Sequence, residues 1–149
     1  MRVSGWMIGL PVVVVGVVAV AVLIVTSGSS SSGAKGGPTP DARVAGKTPD
    51  DSVSLTVNDT NFSKTEISGT AGHVIELVVT NTSTTQQSHN LVVAGPDNTY
   101  DTPDDFGPVP FAIKAGQTGR VVVKIDKPGT YLFRCAFHPT IEFGTLVLK

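Results

Sequence analysis

Gly119 to Cys135 reads GRVVVKIDKPGTYLFRC. Gly119 to Asp126 is rich in β-branched valine, Lys127-Pro128-Gly129 has turn chemistry, and Thr130 to Cys135 resumes with aromatic and apolar residues. The stretch predicts a strand, a turn and a strand. Gly144 to Lys149 then predicts a last strand. Upstream, Val53, Leu55 and Val57 alternate with Ser54, Thr56 and Asn58, as in a half-buried strand. Phe62 to Ile67 is a weaker strand candidate, His73 to Thr80 a stronger one, and His89 to Ala94 ends at Gly95-Pro96. Residues 96–110 form a long loop carrying Asp97, Asp101, Asp104 and Asp105. Seven or eight short strands within residues 51–149, with no helical period, predict an all-β antiparallel sandwich.

What precedes residue 51 is different. Trp6 to Val25 is a run of 20 residues without a charge. As a helix it would rise ~30 Å, the thickness of a bilayer's hydrocarbon core. The domain needs no core helix, so residues 1-25 are expected to be one N-terminal transmembrane helix, a signal anchor. Cleavable signal peptides have shorter apolar cores of about 7–15 residues. Cleavage stays open as the alternative, because Ser32-Gly33-Ala34 suits a signal peptidase. No cysteine stands directly after the run, which excludes a lipoprotein anchor. Arg2 and the amino terminus are expected in the cytoplasm and the rest outside, extracellular or periplasmic. Residues 26-50 are Ser-, Gly- and Pro-rich and are expected to be a flexible linker reaching roughly 25–30 Å. The domain proper is expected at 51-149.

Composition excludes several classes. Net charge is −1 with no basic block, so nothing points to nucleic acid. Residues 51–149 hold 7 Lys and Arg against 10 Asp and Glu, a net −3 that suits a mildly positive partner face. The single cysteine, Cys135, excludes an internal disulfide and any cysteine-only zinc or iron–sulfur site. It also excludes a dinuclear copper centre, and three histidines are too few for a multicopper oxidase; the chain is not expected to be an enzyme.

The chemistry concentrates in three residues. Cys135 ends a strand, His138 follows three residues later, and His89 opens a strand far upstream. One thiolate and two imidazoles are the equatorial donors of a mononuclear type 1 copper site. A strand end fixes the thiolate, a tight turn returns the next imidazole to the same ion, and a neighbouring strand supplies the third donor.

Two segments carry a family resemblance. Ser88-His89-Asn90-Leu91-Val92-Val93, with Gly129 through Cys135-Ala136-Phe137-His138-Pro139, resembles the cupredoxins, the plastocyanin, azurin and amicyanin group. The short return after Cys135 is most similar to amicyanin. The resemblance implies a Greek-key sandwich with its ligands at one end. It implies that Asn90 hydrogen-bonds around the metal site and that the exposed edge of His138 is the electron port.

One position departs from that pattern. Where the amicyanin-like spacing has methionine, this chain has Ile141; the plastocyanin-like spacing falls on Phe143. The only methionines are Met1 and Met7. Ile141 is therefore expected as a non-ligating axial residue walling the metal. Glu142, its neighbour, is expected to point elsewhere, and a weakly approaching carbonyl such as that of Ser88 is left open.

These readings converge on a membrane-tethered blue copper protein. It would carry single electrons between redox proteins, of cytochrome or oxidase type, at the exocytoplasmic membrane surface. The alternatives are a copper carrier or storage protein, and a cupredoxin-like domain that has lost its metal. His73 is expected on the surface at a strand start, and the four aspartates as a solvated loop.

Overall fold

The computed structural model describes residues 44–149. The expected helix at 1-25 and most of the linker at 26-50 lie outside the described residues. Among the described residues no helix is long and apolar enough to cross a membrane. The regular elements are β1 (Asp51–Val57), β2 (Glu66–Gly69), β3 (Ile75–Asn81), β4 (Val92–Val93), β5 (Thr118–Val123), β6 (Gly129–Arg134) and β7 (Phe143–Leu148).

The strands form two sheets, ordered β1-β3-β5 and β2-β7-β6-β4. The all-β sandwich is as the sequence predicts, but the sheets are mixed rather than purely antiparallel. β1 pairs parallel with β3, with Val53 opposite Leu77, and β2 pairs parallel with β7. The remaining pairings are antiparallel. The reason is topological. A hairpin reverses the chain within one sheet, whereas crossing to the other sheet and back returns it in its first direction. β2 lies in the opposite sheet between β1 and β3. Likewise Lys127-Pro128-Gly129 is no hairpin turn, since β5 and β6 belong to different sheets.

The two weakest strand expectations shift. Phe62 makes only a single bridge to Val57, and β2 begins at Glu66. The run from His89 to Ala94 is interrupted because its backbone changes partner. His89 bridges Ile113, while Val92 and Val93 pair with β6 and Val93 also bridges Phe106.

Period-2 burial builds the core. Ile75, Leu77 and Val79 of β3 are buried with Leu55 and Val57 of β1 and Val121 and Val123 of β5. They join Tyr131, Phe133, Leu146 and Leu148 of the other sheet in one cluster. Truncating a fully buried residue such as Leu77 to alanine is expected to cost about 2–5 kcal/mol. Phe62 meets Phe133 edge to face, with ring centroids 5.3 Å apart. Gly144 lets β7 run close over that pair. A Cβ there would lie 2.3 Å from Phe133 Cζ and 2.4 Å from the Thr65 carbonyl oxygen. β6 thus delivers Cys135, one residue past its end, opposite the residue that precedes β7. The Cys135 amide donates to the Glu142 carbonyl at 2.8 Å, closing the loop between the two strands.

Candidate metal centre

Within that closed loop the backbone makes two tight turns. The His138 amide donates to the Cys135 carbonyl, and the Ile141 and Glu142 amides both donate to the His138 carbonyl. The turns aim His138 back at Cys135: its Nδ1 lies 3.7 Å from Sγ. His89 comes from the other segment, held by two backbone hydrogen bonds with Ile113 at 3.0 and 2.8 Å. Its Nδ1 lies 4.0 Å from Cys135 Sγ. The structure therefore brings together the three residues singled out from the sequence.

Asn90 ties the two segments to each other. Its amide donates to Cys135 Sγ at 3.5 Å, and its side-chain oxygen accepts from the Ala136 amide at 2.7 Å. The sulfur is thus fixed from outside its own loop, as the resemblance implies for this position.

The fourth member is not the expected one. Ile141 is 51% exposed and walls nothing, so its expected axial placement is corrected here. Glu142 is completely buried, and its carboxylate lies between the two imidazoles. Oε2 is 2.8 Å from His89 Nδ1, and Oε1 is 3.3 Å from His138 Nδ1. The expectation that Glu142 points elsewhere fails for a simple reason. Glu142 continues the inward phase of Gly144, Leu146 and Leu148, whereas Ile141 falls in the outward phase of Phe143. That alternation, counted backward from the last strand, is the signal that would have found it.

The donor atoms of His89, Cys135, His138 and Glu142 all lie within 4.8 Å of one another. Bonds of about 2.0–2.3 Å in a tetrahedral site put neighbouring donors roughly 3.3–3.8 Å apart, so the donors stand within about an ångström of the spacing of a mononuclear metal cage. Its chemistry matches too. A carboxylate without solvent exposure is costly unless a positive partner faces it. Glu142 Oε1 is close to His138 Nδ1 but has no aligned hydrogen bond. A cation among the four donors would satisfy it. Burial pushes the Cys135 thiol up to about 11, against the opposing hydrogen bond from the Asn90 amide. A bound cation would reverse that by taking the thiolate directly.

Around the cluster the remaining groups are structural. Asp59, just past β1, receives the Ser83 hydroxyl, the Thr84 amide and the Thr84 and Thr85 hydroxyls. Those bonds, Ser83 foremost, hold its carboxyl well below the usual carboxylate range. Asn81 is buried on the inner face of β3. It donates to the Gln87 and Ile113 carbonyls and accepts from the Ser83 amide, which fixes the loop leading into His89. His73 sits on the surface before β3, 2.8 Å from Asp51. In the aspartate loop Asp97 and Asp101 are exposed, Asp97, Asp101, Asp104 and Asp105 bond within the loop, and Asp101 also pairs with Arg134 at 3.1 Å.

Known proteins share this fold. Auracyanin B has a structure with 25% sequence identity and a TM-score of 0.57, covering 69% of this chain and 91% of that one. Auracyanin A, a "blue" copper protein from the green thermophilic photosynthetic bacterium Chloroflexus aurantiacus, shares the fold at 22% identity and TM-score 0.54, covering 66% of this chain and 98% of that one. An auracyanin from the photosynthetic bacterium Roseiflexus castenholzii matches at 18% identity and TM-score 0.54, covering 66% of this chain and 96% of that one. A search of curated proteins finds no match. The sequence profile of the cupredoxin-like domain matches residues 16–148, so the chain that gathers His89, Cys135 and His138 at one end of a β-sandwich belongs to the cupredoxin-like family.

Proposed function

We propose that this protein is a one-electron carrier whose redox ion is a single copper held by His89, Cys135 and His138, with the Glu142 carboxylate as fourth donor. The observation that carries this reading is the convergence of those four side chains, three of them fully buried, at one end of a cupredoxin sandwich. Copper, when bound to a thiolate and two imidazoles, supplies a one-electron couple and an intense colour.

The chain's own residues supply the rest. The loop hydrogen bonds, Asn90 and the paired strand ends hold the donors in one arrangement for both oxidation states, which keeps reorganisation small. His89, Cys135 and Glu142 exclude water from the ion. His138, with its side chain 25% exposed, is the one donor that reaches the surface and is the route for the electron. Phe137 and Ile141 stand exposed beside it, an apolar rim for a redox partner of cytochrome or oxidase type. Trp6 to Val25 would tether the domain to the outer face of a membrane, with residues 26-50 as the leash.

The test is copper titration of the full chain in detergent. An intense thiolate-to-Cu(II) absorption band is expected, together with reversible one-electron reduction and loss of the band in Cys135→Ser. A chain that takes up copper without that band, or keeps the band in Cys135→Ser, would overturn the assignment. Rapid surrender of the ion to a weak chelator would favour a copper carrier instead.

A further inference from the structure

The buried ring of His89 has two nitrogens and only one is accounted for. Nδ1 faces Glu142 and Cys135. Nε2 points away from the cluster, is buried, and has no aligned hydrogen-bond partner. Facing it at 3.7 Å is Oδ1 of Asp59.

That carboxylate is held in place by design of the loop. Four donors from Ser83, Thr84 and Thr85 converge on it. Ser83 also accepts from the Thr85 and Gln87 amides, so the segment gripping Asp59 is the one that delivers His89. A few tenths of an ångström closes the gap to a hydrogen bond.

Tautomer chemistry gives the pair a role. An imidazole that offers the Nδ1 lone pair to a cation must carry its proton on Nε2. A bare Nε2 lone pair aimed at a carboxylate would be repelled, whereas an Nε2–H is attracted. We propose that Asp59 is a positioning residue of the metal centre: its carboxylate accepts the Nε2–H of His89 and so fixes the tautomer that turns Nδ1 toward the ion. The carboxylate also makes the imidazole more basic and adds a negative charge behind it, which favours the higher oxidation state. The identity of the ion rests on the copper reading above; the Asp59–His89 contact does not.

Two measurements on the full chain in detergent decide it. The first is the ¹⁵N spectrum of His89 in wild-type protein loaded with diamagnetic Zn(II), so that the ion rather than a proton sits on Nδ1 beside Glu142; Nε2 is expected to carry a proton protected from exchange. An unprotonated Nε2 would overturn the proposal. The second uses Asp59→Asn, which keeps a neutral acceptor, and Asp59→Ala, which removes it. Cu(II) affinity is expected to fall about 10–100-fold in Asp59→Ala, with Asp59→Asn in between. In Asp59→Asn the preference for Cu(II) over Cu(I) is expected to fall roughly tenfold, a rise in potential of about 59 mV. An unchanged potential and affinity in both variants would overturn it. Wild-type protein that takes no copper would defeat the copper reading, and the ¹⁵N spectrum would still settle the contact.

Discussion

Glu142 and Ile141 are adjacent in sequence and opposite in environment: Glu142 is fully buried between His89 and His138, and Ile141 is half exposed on the rim. Backbone phase makes the difference. Both amides donate to the His138 carbonyl in the turn, but the inward alternation of β7 extends back only to Glu142. The fourth side chain of the cluster thus offers a hard oxygen that can carry full charge, where the amicyanin-like spacing falls on the inert side chain of Ile141.

Glu142 should therefore set the potential low. A charged oxygen donor stabilises Cu(II) over Cu(I), while a thioether or a neutral amide does so less. Glu142→Gln is expected to raise the reduction potential by at least the ~59 mV of a tenfold change in relative affinity, and Glu142→Met by more. Voltammetry of the copper-loaded variants checks this. A potential that falls or stays put in both would place Glu142 outside the coordination.

Ile141→Met makes the converse measurement. The side chain lies on the surface, so a thioether there cannot enter the cluster without reversing the strand phase. The potential and the absorption spectrum are expected to match wild type. Stability should move by less than about 0.5 kcal/mol, as for ordinary surface substitutions.

Gly144→Ala probes the scaffold beneath the site. The added Cβ would press on Phe133 Cζ and on the Thr65 carbonyl oxygen, and a backbone oxygen has little freedom to yield. Overpacking of this kind costs about 1–3 kcal/mol. For a domain near 100 residues that is a loss of roughly 4–8 °C in Tm per kcal/mol. Thermal unfolding of the metal-free variant reads it. A Tm equal to wild type would mean that β7 can lift off Phe133 without penalty.

Sequence pattern made the strands with strong alternation legible, because burial on one face writes itself into every second residue, as at Ile75, Leu77 and Val79. It made His89, Cys135 and His138 legible because their residue types are rare in this chain. Sheet membership was hidden, since Lys127-Pro128-Gly129 is equally good turn chemistry within a sheet or between two. The breaks at His89 and Phe62 were hidden because they arise from changes of partner across the fold. Glu142 is hidden for a different reason: the loop from Cys135 is irregular and carries no phase, while the regular strand on its other side does. Asp59 carries no local signal at all, because its relation to His89 exists only once β1 and the Ser83–Thr85 segment are folded together.

The Cys135 thiol gives the metal-free and metal-loaded proteins opposite responses to pH. Burial raises it to about 11 from the ordinary value of 9.0. In the metal-free protein the unfolded chain loses this proton first as pH climbs. The thiol's contribution to stability is therefore intact below about pH 9 and is lost as pH rises from there toward about 11. Copper uptake runs the other way. Ligation needs the thiolate, so below about pH 11 binding must expel the sulfur's proton. From this group alone, Cu affinity is expected to rise about tenfold per pH unit between neutrality and pH 9, with one proton released from the thiol for each ion bound. Chelator competition at several pH values measures the slope, and calorimetry in buffers of different ionisation enthalpy measures the proton count. In Cys135→Ser the sulfur's share of both should vanish while the metal-free fold remains. A slope unchanged by that substitution would mean that the thiol is not where the ion binds.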